Sequence, residues 1–241
     1  MKRRCVIQTM AALALLGLLT MGNAHADDAV SPVVVELFTS QGCSSCPPAD
    51  VVLSKLAARR DVLALSFHVD YWDSLGWKDP FASPVNTARQ KAYRQTFHNS
   101  QIYTPQAVVG GVAEMVGSRA SEVTAAVADV ARRQAGGPKL TIDRTDGIRV
   151  TVPAGDMTTA TIWLAAYDPR HETAVRRGEN AGSALVNTNV VRKLVALGPY
   201  AGRATTLAAP SDFARDGEGV AAWIQRDPTG AIVSAVNMPP R

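Results

Sequence analysis

The fold of this chain is most constrained by a strand, a helix and a second strand that follow one another near its start. The run 33–39 is rich in β-branched residues and bounded by turn residues, which predicts a strand buried on both faces. Pro47 and Pro48 fit the first turn of a helix, and apolar residues then recur at helical spacing up to Arg59. The apolar stretch 61–69 predicts a second strand. Such a unit places its strands parallel, with a right-handed crossover.

Cys43 and Cys46 lie between the first strand and the helix. At a helix start, exposed backbone N–H groups favour a thiolate, and a second sulfur separated by two intervening residues can close a disulfide. The spacing suits thiol–disulfide exchange, half of a metal site or an inert structural clip. Two thiols cannot hold together a chain of this size, and 46% hydrophobic residues provide a core of its own, so we favour a chemical role.

Residues 1–26 have the pattern of a secretory signal peptide. Three basic residues precede an apolar run, and a small-x-small cleavage pattern stands at 24–26. A membrane anchor is the alternative, but the run is shorter than the roughly 20 residues that spanning needs. We therefore expect a secreted protein, in a bacterial periplasm where disulfides persist, with no membrane span after cleavage.

Removal of the leader takes away three positive charges, so the formal net charge falls from +4 to +1. The basic isoelectric point therefore belongs largely to the leader. A partner with many negative charges, such as nucleic acid, loses its electrostatic support. We expect no nucleic-acid partner and no cofactor, and the oligomeric state stays undetermined.

A helical insertion is predicted after the second strand. Loops at the carboxyl ends of parallel strands gather on one edge of a sheet, so His68, Asp70 and Trp72 are expected to form a wall beside the cysteines. Within the insertion, which spans 70–103, Ser83 is placed to cap a helix.

The remainder of the chain changes character near residue 137. Before it, the Gly110-Gly111 pair predicts a hairpin, and a helix capped by Ser118 or Ser121 follows. After it, alternating apolar residues and turn signals predict several short strands, which indicates an antiparallel sandwich. The predicted units are a signal peptide at 1–26, a first domain at 27–137 and a β-rich domain at 138–241.

The order of these elements, with Thr104-Pro105 opening the hairpin, resembles the thioredoxin superfamily. More narrowly, the chain resembles a family of secreted, thioredoxin-like bacterial proteins that carries only a domain-of-unknown-function label. The motifs that carry the likeness are Phe-Thr-Ser-Gln-Gly-Cys-Ser-Ser-Cys-Pro-Pro-Ala-Asp, His-Val-Asp-Tyr-Trp-Asp, Thr-Pro-Gln, Arg-Gly-Glu-Asn-Ala-Gly and Asn-Val-Val-Arg. The resemblance implies an α/β thioredoxin-like domain with a helical insertion, followed by an all-β antiparallel sandwich-like domain.

The resemblance also implies roles for single residues. Cys43 would be the nucleophile and Cys46 the resolving thiol, while Thr104 and a cis Pro105 would lie against the disulfide and align the partner's backbone. Glu36 stands near the place where related enzymes carry an acidic residue that moves the resolving thiol's proton. A buried carboxylate is costly unless it is paired, so an ion pair with a lysine or with an arginine of the insertion is equally open.

The function expected from these features is thiol–disulfide exchange with protein or small-thiol substrates. A copper metallochaperone is an alternative, because copper-binding proteins of similar fold use two cysteines and a histidine, here Cys43, Cys46 and His68. A hydrogen bond from His68 to a neighbouring aspartate, such as Asp70 or Asp73, is the simpler expectation for that side chain. A non-catalytic binding module with a structural disulfide is the third possibility.

Overall fold

The structure is a computed structural model that describes residues 31–134, 137–157 and 159–240. The predicted signal peptide at 1–26 lies outside these residues. In chain order the strands are β1 (Val33–Thr39), β2 (Val62–His68), β3 (Gln106–Val109), β4 (Ala113–Val116), β5 (Thr141–Asp143), β6 (Arg149–Val152), β7 (Ala160–Ala174), β8 (Ala184–Tyr200), β9 (Thr205–Ala208), β10 (Gly219–Arg226) and β11 (Ile232–Met238). The helices are α1 (Pro47–Ala57), α2 (Pro84–Thr96) and α3 (Ala120–Arg133), with a short 3₁₀ helix at Asp73–Leu75.

The predicted strand–helix–strand unit is confirmed. β1 and β2 pair in parallel along their whole length, and both are buried at every position. Prolines occupy the first turn of α1. Ser83 caps α2 as predicted, since its hydroxyl accepts the Val85 N–H. The predicted cap of α3 is wrong: Arg119 stands at that position without a side-chain cap, so neither Ser118 nor Ser121 fills the role.

The predicted fold class, a thioredoxin-like α/β domain followed by a separate all-β sandwich, is wrong. Strands from both halves of the chain form one mixed eight-stranded sheet in the order β11-β10-β7-β8-β2-β1-β3-β4. The two halves join where β8 runs parallel to β2, at Ser66 and Val190. The second sheet of the described residues has three strands, in the order β5-β6-β9.

Strand edges explain this difference. A β2 edge left open would expose a row of unpaired backbone groups in the middle of apolar sequence, and β8 covers part of it. β8 is long enough, at 17 residues, to pair with β7 over most of its length and still reach β2. Hydrophobic alternation identifies strands but does not say which strands are neighbours, so the sequence did not reveal the junction.

The two faces of the large sheet carry different layers. α1 and α3 pack on one face of β1 and β3, while α2 packs on the opposite face. The three-stranded sheet covers β7 and β10. Apolar residues from both halves of the chain meet in one cluster on the α2 side, including Phe67 and Tyr93 from the first half and Tyr167 and Trp223 from the second. This cluster therefore joins the two halves of the chain in one core.

Candidate functional site

Cys43 and Cys46 form a disulfide where β1 leads into α1. Their Cα atoms are 5.4 Å apart, within the range usual for disulfides. Cys46 is the N-cap residue of α1, and its carbonyl accepts the N–H groups of Ala49 and Asp50. Both cysteines are 0% exposed, whereas Ser44 and Ser45 between them lie on the surface. The disulfide is thus reached only past the groups that cover it.

Thr104 lies beside the disulfide, and Trp72 contacts Thr104. The Thr104 carbonyl oxygen lies 4.0 Å from Cys43 Sγ, and the Trp72 indole N–H donates to the Thr104 hydroxyl at 2.9 Å. The Thr104–Pro105 peptide bond is cis, as the resemblance implies. A Cβ at Gly42 would lie 3.2 Å from Trp72 Cβ, so the glycine allows the indole to pack closely beside the cysteine loop. Trp72 and Thr104 together form one wall of the site.

A buried acidic cluster lies on the other side of the motif, and its first member is Asp50. This residue follows Cys46 by four positions in α1, so both side chains lie on one face of the helix. The Asp50 carboxylate accepts a hydrogen bond from the Thr39 hydroxyl at 3.1 Å. Burial raises the pKa of Asp50 to about 7, although His68 and the Thr39 bond act in the opposite direction. Asp50 is therefore a buried group that exchanges its proton near neutral pH.

His68 and Asp79 complete the cluster. His68 Nδ1 lies 2.7 Å from Asp79 Oδ2, and the same oxygen accepts the Gln41 N–H at 2.8 Å. Burial alone would raise the pKa of Asp79. The nearby His68 and the hydrogen bonds that the Asp79 carboxylate accepts outweigh burial, so the pKa of Asp79 is lowered overall. His68 Nε2 is buried, and it has no hydrogen-bond partner among the residues that the structure describes. The histidine is thus fixed by an aspartate, but its partner is Asp79 and not the expected Asp70 or Asp73, and Asp79 also holds the loop before Cys43.

The loop between β7 and β8, residues 175–183, covers the motif, and we call it the β7–β8 tip. Glu179 accepts the Ser44 N–H at 2.9 Å, and this contact lowers the pKa of the Glu179 carboxyl. The Asn180 side chain donates to the carbonyl oxygens of Gln41 and Cys43, both at 2.9 Å. A segment more than 130 residues away in sequence thereby fixes the backbone on both sides of the first cysteine.

The Gln41 side chain joins the insertion to the two strands, β7 and β8, that flank this tip. Its amide nitrogen donates to Asn187 at 2.9 Å and to Thr173 at 3.0 Å, while its amide oxygen accepts the Trp77 indole N–H at 3.2 Å. The residue is buried, and each side-chain polar atom has a partner. Gln41 therefore locks the position of the loop that carries the cysteines.

Glu36 is not placed beside the cysteines by any contact in the structure. Its carboxylate pairs with the buried Arg89 guanidinium, with one N···O distance of 3.0 Å, and accepts the Tyr93 hydroxyl. Arg89 also donates to Gln225 at 2.9 Å and lies 4.8 Å from the centre of the Trp163 ring. Glu36 is thus paired with an arginine of the insertion, the second of its two expected environments, in the core shared by the two halves.

Two other expected features are placed differently. Asp70 turns to α2, where its carboxylate accepts the Thr87 hydroxyl at 2.6 Å. Cys43, Cys46 and His68 are not gathered into a metal-binding group: within the described ranges, no three His, Cys, Asp or Glu side chains are arranged to hold an ion. The geometry required by the copper alternative is therefore not found.

Five residues close to the motif were not expected there from the sequence, namely Gln41, Asp50, Asp79, Glu179 and Asn180. Asp50 could have been found, because an acidic residue four positions after a helix-starting cysteine falls on the cysteine's face. The contacts of Glu179 and Asn180 have no local signal, since they arise from the junction of β8 with β2.

Comparisons with known proteins agree on the family and the fold. Residues 34–225 match a family described as "Protein of unknown function (DUF1223)". A crystal structure of a protein from Agrobacterium tumefaciens is similar to this chain, with 30% sequence identity and a TM-score of 0.76, covering 87% of this chain and 94% of that one. HBP35 of Porphyromonas gingivalis shares the fold at 13% identity and a TM-score of 0.62, over 87% of this chain and 75% of that one. No curated protein matches.

Proposed function

The chain belongs to the DUF1223 family, and from the geometry of its own residues we propose that it is an exported thiol–disulfide oxidoreductase acting through Cys43 and Cys46. The observation that carries the proposal is the disulfide at the start of α1 with a buried carboxyl group one helical turn away. A purely structural clip does not require a proton-exchanging group beside it. The predicted signal peptide and periplasmic location belong to the proposal, because disulfides form and persist in oxidising compartments.

The first step is attack by a partner thiolate on the Cys43 sulfur. A bond forms between the partner sulfur and Cys43, the Cys43–Cys46 bond breaks, and Cys46 leaves as a thiolate. The helix start stabilises that leaving charge, and a protonated Asp50 on the same helix face can supply the proton. A second partner thiolate then releases Cys43, so the partner is oxidised to a disulfide and the protein is reduced to a dithiol. The reverse sequence reduces a partner disulfide.

Kinship with the thioredoxin superfamily is also part of this proposal. Its support is local: a parallel strand–helix–strand unit, a disulfide at the helix start and Thr104 beside the first sulfur. In this arrangement the Thr104 backbone is placed to align an extended partner chain against Cys43.

The test is a trapping experiment with Cys46→Ser. Without its resolving thiol, the protein should remain attached to its partner through Cys43, and disulfide-linked species should be recovered from the native compartment. The double variant Cys43→Ser/Cys46→Ser is the control and should trap nothing. Recovery of free Cys46→Ser protein alone, at normal abundance, would count against exchange.

A binding module with a structural disulfide is the second candidate, and the complete burial of both cysteines favours it. The reduction potential separates the two functions. Exchange proteins lie between about −270 and −120 mV, whereas structural disulfides lie below about −300 mV. Equilibration of the protein in thiol buffers, followed by alkylation of free cysteines, gives this value directly.

A further inference from the structure

A groove beside the disulfide is formed by two segments that are about a hundred residues apart in sequence. One wall is the loop that follows the 3₁₀ helix, with Trp77 and Lys78, and the other is the start of the β7–β8 tip, with Arg176 and Arg177. Its volume is about 580 Å³, within the range usual for ligand sites.

The two walls are packed closely enough to keep the groove in place. A Cβ at Gly178 would lie 3.0 Å from Trp77 Cβ, and a Cβ at Gly76 would lie 3.5 Å from Gly178 Cα. Both glycines have positive φ angles, 101° for Gly76 and 76° for Gly178, which favour glycine. The backbones therefore meet directly, and the groove exists before any partner binds.

The charge of the groove is strongly positive. Lys78, Arg176 and Arg177 are exposed, and Asp73 is the single acidic residue that lines it in the part of the chain that the structure describes. The Asp73 carboxylate is already engaged, because it accepts the Asp79 N–H at 3.1 Å. Neither arginine side chain forms an ion pair or hydrogen bond within the described residues.

Many surface arginines elsewhere are neutralised by an acidic neighbour. Arg59 pairs with Asp61 at 2.7 Å, and Arg133 pairs with Asp129 at the same distance. Three cations that converge from two distant segments around one acidic residue, Asp73, are therefore a distinctive local feature of this surface. Arginine and lysine in a groove with an indole bind carboxylates well, because the guanidinium forms paired hydrogen bonds with them.

Both walls also contact the cysteine loop. The Trp77 indole donates to the Gln41 side chain, and Glu179, two residues after Arg177, accepts the Ser44 N–H. A chain lying in the groove is thus held next to the residues that carry the disulfide. We infer that this basic groove binds acidic peptide segments flanking a reactive cysteine, so that the physiological partner is a protein with carboxylates beside its thiol. This inference rests on the proposed exchange function and specifies its substrate class.

The experiment measures reduction of the Cys43–Cys46 disulfide by three short cysteine peptides whose flanks are aspartate-rich, neutral or lysine-rich. Each rate is divided by the same peptide's rate with hydroxyethyl disulfide, which corrects for differences in thiol reactivity. Dithiothreitol, an uncharged dithiol, provides a reference. At 20 mM ionic strength the acidic peptide should react about ten times faster than the basic one, and the ratio should approach one at 0.5 M salt, where charges are screened.

The variant Arg176→Glu/Arg177→Glu should remove or reverse this preference while leaving the dithiothreitol rate within about twofold of the native rate. Lys78→Glu on the opposite wall should have a smaller effect in the same direction. The matched control is Arg60→Glu/Arg203→Glu, which changes the net charge equally at exposed sites outside the groove and should keep the preference.

The outcomes separate this inference from the exchange function. Equal corrected rates for the three peptides, together with normal reduction by dithiothreitol, would overturn the groove's role and leave exchange standing. A disulfide that neither the peptides nor dithiothreitol open would refute both. Loss of preference in the control variant as well as in the groove variant would assign the effect to net charge and refute the groove.

Discussion

Asp50→Asn should change how the stability of the protein depends on pH. Folding raises the pKa of this carboxyl from its ordinary value of 3.8 to about 7, chiefly through burial. The folded protein therefore holds a proton that the unfolded chain releases. The Asp50 carboxyl therefore has no effect on the free energy of unfolding below pH 3.8. It lowers that free energy progressively between pH 4 and pH 7, and the full decrease is reached above pH 7.

The size of the effect follows from the two pKa values. Each pH unit of difference corresponds to about 1.4 kcal/mol, so ionising the buried carboxyl costs on the order of 4 kcal/mol above pH 7. An asparagine does not titrate and can still accept the Thr39 hydrogen bond through its amide oxygen. The free energy of unfolding of the variant, relative to the native protein, should therefore rise by on the order of 4 kcal/mol from pH 4 to pH 8.

Urea unfolding of the oxidised proteins, repeated at half-unit steps from pH 4 to pH 8, measures this difference. Asp216→Asn removes an exposed carboxylate outside the cluster and controls for the loss of one charge. Parallel curves for the Asp50 variant and the native protein would refute the reasoning. Because Asp50 is also proposed to donate a proton to Cys46, the variant should have a flatter pH dependence of its reduction potential between pH 6 and pH 8.

Three further predictions concern the core, the tip and one turn. Arg89→Met leaves the Glu36 carboxylate buried without its partner and should lower the free energy of unfolding by about 3–5 kcal/mol. Adding Glu36→Gln should restore part of this loss. A double variant that is no more stable than Arg89→Met would contradict this. Asn180→Ala removes two hydrogen bonds from the cysteine loop, so dithiothreitol should reduce the disulfide at least about fivefold faster; an unchanged rate would show that the tip does not limit access. Gly111→Ala should lower the melting temperature clearly more than Gly147→Ala, although both glycines have positive φ angles. A Cβ at Gly111 would overlap the Gly230 carbonyl oxygen, whereas a Cβ at Gly147 would meet open space. Equal losses of melting temperature would contradict this packing argument.

The sequence predicted individual elements well, because their signals are local. The bounds of β1 follow from its β-branched run, those of α2 from the Ser83 cap, and the hairpin at β3 and β4 from its glycine pair. Several short strands were expected in the second half, whereas β7 and β8 are long, at 15 and 17 residues. These features depend on a few neighbouring residues whose preferences agree with the final fold.

The assembly could not be predicted, because it depends on pairing between distant segments. Nothing near Ser66 indicates that Val190 will lie beside it, and without that pair the β7–β8 tip has no reason to reach the cysteines. The same limit applies to the site. The cysteines were proposed from the motif, Trp72 from the strand order and Thr104 from the resemblance. Glu179 was not assigned to the site, because its contact exists only in the assembled sheet.

The hydrogen bonds between Ser31 and the last strand, β11, have a consequence for biosynthesis. The Ser31 hydroxyl donates to the Ala235 carbonyl at 3.2 Å and accepts the Ala235 N–H at 2.7 Å, across a separation of 204 residues. The chain therefore cannot close its structure until nearly all of it has left the ribosome. Contacts between such distant residues form slowly, so the complete fold is reached only after synthesis has almost finished.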